Sequence, residues 1–102
     1  MAARHRTIET TGIGRADPTL TNKTQRQAIA REAAIVEAQT KMLSILKSQN
    51  AKEQNSDTLQ SGILRGAQVV KTEWIGEDQC RVTLRLDKKR YETLTGNQLN
   101  DD

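Results

Sequence analysis

The residues that could carry chemistry in this 102-residue chain are few and poorly spaced for it. Cys80 is the one cysteine and His5 the one histidine, far apart in sequence, so neither a Cys-His pair nor a Ser-His-Asp set can be assembled around them. A single cysteine forms no internal disulfide and anchors no cysteine-based zinc cluster, and His5 lies in an end read as loose. Paired carboxylates occur at Glu77-Asp78, in a predicted turn, and at Asp101-Asp102, in the tail. Without burial neither pair acquires the shifted pKa that acid–base catalysis needs. Gly12-Ile13-Gly14 lacks the third glycine and following lysine of a phosphate-cradling loop. These residues lead to the expectation of a non-enzymatic protein with no cofactor and no metal.

The basic residues offer binding instead of catalysis. On the strand predicted around Cys80 to Leu86, Arg81 and Arg85 share one side, because strand side chains alternate with period two. They can pair with Glu73 or Glu77 across a hairpin, or form a polar face for an acidic ligand or nucleic acid. Lys88-Lys89-Arg90 is the only basic run. The net charge of +3 comes from 16 basic and 13 acidic residues spread along the chain. With one Trp, one Tyr and no Phe there is little for bases to stack on, which argues against nucleic acid. A small binding module using Arg81 and Arg85 stands as the alternative function.

These side chains depend on a small set of elements. Gly62 to Leu86 reads as a glycine-bounded turn followed by a β-hairpin. Cys80, Val82, Leu84 and Leu86 are predicted buried, and Gly76-Glu77-Asp78-Gln79 form the loop. Arg6 to Gly14 predicts a further strand, its glycines pointing to a bulge or to close approach by a neighbouring element. Asp17-Pro18 breaks the chain, and Thr21 or Asn22 can cap a long helix reaching about Ser48, rich in Ala28, Ala30, Ala33, Ala34 and Ala38. A polar linker, Asn50 to Ser56, precedes a short helical segment. Asp87 can cap a closing helix, Lys88 to Leu94, that turns Tyr91 and Leu94 inward. The order strand, long helix, short helix, strand, strand, short helix predicts an α+β fold. One long helix would pack in two layers on a small, mainly antiparallel three-stranded sheet. Residues 7–94 would form one domain between flexible ends, 1–6 and 95–102.

The long helix carries two apolar arcs at 100° per residue. Ala34, Ala38, Met42, Ile45, Ile35 and Leu46 form a broad one, and Ile29, Ala33, Val36 and Leu43 a narrower one. Two stripes need two partners. The broad stripe is expected on the sheet. The narrow one is either covered by the segment Asp57 to Arg65 or left as a self-assembly interface, with Ile29, Ala33, Val36 and Leu43 at the seam. Only 34% of residues are apolar, so the core is thin and contact with further copies would add to it.

Three segments together resemble a known family: the strand Ile8 to Gly14, the helix from Ala30 to Leu46, and Gly62 to Leu86. Ala33, Ala34, Glu37 and Ala38 and the run from Gly66 to Trp74 carry the likeness most clearly. The chain is similar, from about Ile8 to Leu94, to the bacterial twenty-kilodalton outer-membrane lipoprotein family, which includes the flagellar protein FlgP. A similar domain occurs in the flagellar ring protein FlgT. The resemblance implies a structural protein of the Gram-negative periplasm and outer membrane, at the flagellar basal body. It would form a homo-oligomeric ring or disk that supports motility and contacts other outer-membrane or periplasmic ring proteins. Met1 to Arg15 has no signal-peptide pattern, and Cys80, inside a strand, cannot be a lipidation site. Membrane attachment would therefore use a lipid absent from this chain.

Overall fold

A computed structural model describes residues 7–50 and 56–95. The expected flexible segment 1–6 with His5, residues 96–102 of the expected tail 95–102, the linker residues 51–55 and the side chain of Leu94 lie outside what is described, while Thr95 closes the last helix. The chain runs β1 (Thr7–Arg15), α1 (Lys23–Asn50), α2 (Ser56–Gly66), β2 (Ala67–Trp74), β3 (Gln79–Asp87) and α3 (Lys88–Thr95), in the predicted order. The strands form one antiparallel sheet in the order β1-β3-β2, so the fold is α+β. β3 is central, and its alternation is strict: Cys80, Val82, Leu84 and Leu86 are buried beneath α1, while Arg81, Thr83 and Arg85 lie on the opposite face.

Small residues set how closely α1 approaches β1. Ala30, Ala34, Ala38, Met42 and Leu46 are fully buried, each four residues from the last, and the alanines face Gly12 and Gly14. A Cβ on Gly12 would overlap the carbonyl oxygen of Ala34 and come within 2.5 Å of the amide nitrogen of Ala38. The glycines thus mark close approach, and β1 pairs with β3 without a bulge. The irregularity lies in β2, between Val69 and Lys71. Thr10 is buried with its hydroxyl donating to Ala38 O at 2.7 Å, so its polar atom is satisfied inside the contact.

Local signals fix the element ends. Asn22 Oδ1 accepts from the Gln25 amide at 3.1 Å and Asp87 Oδ1 from the Lys89 amide at 2.9 Å, so both expected caps form. Gly76 has φ of 77° and turns the hairpin. Beyond the sheet, Leu59 and Ile63 of α2 and Tyr91 of α3 are buried with Met42 and Leu46 in one core. Gly62 leaves room for the Tyr91 ring, which a Cβ there would overlap.

Candidate assembly surface

α1 is pinned near its start. Arg26 Nη1 donates to Leu20 O at 2.5 Å and its Nε lies 3.3 Å from Asp78 Oδ1, tying the first turn of α1 to the hairpin loop. Ile29 is 41% exposed, Val36 is 53% exposed and Ala33 is exposed beside them. Leu43 is half-buried and packs against the core where α2 lies alongside α1. The four residues of the narrow arc are therefore divided. α2 covers the Leu43 end, as one reading of the sequence required, and Ile29, Ala33 and Val36 remain open, as the other required.

Leu64 of α2, 61% exposed, extends this apolar surface past the covered end. Between the helices runs a cleft of about 70 Å³ whose walls include Val36, Leu43, Ile63 and Leu64. That is far below the roughly 300–1,000 Å³ of small-molecule sites and suits a protruding side chain. Two larger hollows, about 420 Å³ over Ile29 and Val36 and about 490 Å³ beside Ile75 and Gly76, are shallow and wide open to solvent.

The two edges of the sheet differ. α1 occupies two groups on the β1 edge: the Ile13 amide donates to Glu37 Oε1 at 2.9 Å, and Lys41 Nζ donates to Thr11 O at 2.7 Å. Glu37 and Lys41 also pair at 3.5 Å. The hydrogen bond from Ile13 holds the Glu37 carboxyl below its ordinary pKa, with Lys41 adding to the effect. β2 pairs with β3 on one side only, and its other edge is open among the described residues.

Arg81 and Arg85 lie on the sheet face away from α1, both engaged. Arg81 Nη1 is 3.7 Å from Glu73 Oε1, the expected cross-hairpin partner. Arg85 instead meets Glu9 of β1, its Nε and Nη2 both 2.7 Å from Oε2. An acidic ligand would have to displace both carboxylates. Lys88, first of the basic run, is buried at the start of α3 and does not join a solvent patch. Cys80 is fully buried, and burial raises its thiol pKa, with the Arg31 guanidinium working in the opposite direction.

Among the described residues no group of three His, Cys, Asp or Glu stands together as a metal set, and no helix is long and apolar enough to cross a membrane. The fold defines a helix-on-sheet α+β domain with an open apolar helix face and one open sheet edge. Comparison with protein-family models finds no match, and comparison with curated proteins finds none either.

Proposed function

We propose that this chain is a non-enzymatic structural subunit of a bacterial cell-envelope assembly, most specifically a ring or disk at the outer-membrane end of the flagellar motor. The observation that carries the self-assembly part is the open stripe Ile29, Ala33 and Val36 on the outer side of a helix whose other side is already buried. A second copy seated there would bury apolar surface and lend each thin core a neighbour. A ring needs this contact to be heterologous, with the stripe of one subunit meeting a different surface of the next and the rotation closing on itself. The envelope and flagellar setting comes from the family resemblance, as do the neighbouring ring proteins and the lipid-mediated attachment.

Light scattering across a concentration range, followed by electron microscopy of any large species, tests the assembly. Ile29→Asp with Val36→Asp is the chosen disruption, because both side chains are exposed and the fold does not need them; Leu43 is unsuitable because it packs against the core. Closed rings in the wild type and folded smaller species in the double variant support the proposal. Unchanged assemblies in the variant, or no large species from the wild type, count against it.

A further inference from the structure

We infer that β2 is a dimerisation edge that pairs with β2 of a second copy around a two-fold axis at Thr72, giving a continuous six-stranded sheet. An unpaired strand edge is a template for another strand. Here Glu37 and Lys41 already hold the Ile13 amide and the Thr11 carbonyl on the free edge of β1, which disfavours a β1-to-β2 chain of subunits. β2 is the edge left open among the described residues, and its pairing with β2 of a second copy is an isologous contact.

The side chains of β2 select the register. Thr72 and Trp74 lie opposite the buried Val82 and Cys80 and so share the helix side of the sheet. Lys71 and Glu73 lie opposite Thr83 and Arg81 on the outer side, where their charged groups are 3.8 Å apart. Directly opposite residues in a sheet point to the same face, so a symmetric antiparallel pair must place some residue opposite its own copy. Centring on Lys71 sets two ammonium groups face to face, and centring on Glu73 sets two carboxylates together. Centring on Val70 runs the pairing through the irregularity between Val69 and Lys71. Centring on Thr72 sets each Lys71 opposite the partner's Glu73, within the stretch Lys71 to Trp74 that pairs regularly with β3. The sequence Lys71-Thr72-Glu73 is thus self-complementary in charge when read antiparallel.

The test is a charge swap followed by sedimentation equilibrium, with circular dichroism to verify folding. Lys71→Glu and Glu73→Lys each place like charges opposite one another and should raise the dimer dissociation constant about tenfold or more. The double variant K71E/E73K, with Arg81→Glu added so that the lysine at position 73 keeps an opposite charge across its own hairpin, restores both pairs and should dimerise like the wild type. An equimolar mixture of the two single variants should form heterodimers, because the K71E chain is acidic at both positions and the E73K chain basic at both. Each acidic position then faces a basic one. The same series in a Val36→Asp background separates this edge from the α1 stripe: a dimer there upholds the β2 contact whether or not rings form. A monomer at every concentration overturns the inference, as do single variants that dimerise unchanged or a mixture that stays monomeric.

Discussion

The backbone amide of Ile13 donates to the carboxylate of Glu37 at 2.9 Å, across 24 positions of sequence. Glu37 accepts at an edge where strand pairing would otherwise continue, and Lys41, one helical turn on, donates to Thr11 O there. One pair of helix side chains thus docks α1 to β1 and occupies two polar groups of the strand edge that an added strand would need.

Glu37 makes stability depend on pH. Its folded pKa is lowered from the ordinary value of about 4.5, chiefly by the Ile13 hydrogen bond. The sign follows from linkage: the contribution is fully present above the unfolded value and is lost as pH falls through the lower folded one. Glu37→Gln should therefore be less stable than wild type at neutral pH, with the difference shrinking below pH about 4. Denaturant titrations at pH 7 and in the acid range measure it, and a gap that stays constant with pH contradicts this role.

Two glycines with different reasons for being glycine should respond differently to alanine. Gly12→Ala drives a methyl into the backbone of α1 and should cost about 1–3 kcal/mol or more, since the opposing atoms belong to a helix and not to a flexible side chain. Gly76→Ala meets no atom within 4 Å but must hold φ near 77°, a strain of about 1 kcal/mol. Thermal unfolding of the two variants should rank Gly12→Ala as the more damaging.

Cys80 should behave as a reporter of unfolding. It is buried on the central strand, and burial raises its thiol pKa, so little thiolate forms and reagent has no path to it. At pH 8 a thiol reagent should modify the folded chain at a rate that tracks opening of the sheet, and the denatured chain at least about a hundredfold faster. Rapid labelling of the native protein would place the thiol outside the core.

Signals confined to one element are legible in the sequence. The alternation of β3, the caps at Asn22 and Asp87 and the turn at Gly76 each depend on residues within a few positions of one another. Relations between distant elements are not legible. The sequence offers Arg85 the carboxylates of its own hairpin, yet Glu9 holds it, because the β1 to β3 register joins segments with no local signature of pairing. Ala30 belongs to the buried face, but in sequence it stands only as a helix former. Alanine marks either a surface or a tight contact, and only Gly14 opposite decides which. Helical periodicity locates the Ile29 to Leu43 arc, but where α2 stops along α1 depends on tertiary packing, so the division at Val36 lies beyond it.

Placing β3 at the centre also governs the order in which the molecule can be built. Thr7 pairs with Asp87, so the first strand has no strand partner until nearly the whole domain has been synthesised. Until then the apolar side of α1 has only β1 and α2 to lie on, and a nascent chain of this design waits, unfinished and sticky, for its last third. Such late, long-range closure favours slow and all-or-none folding and leaves no early subdomain to be stored or swapped. A cell making many copies of this chain would therefore gain from holding each one apart until β3 emerges.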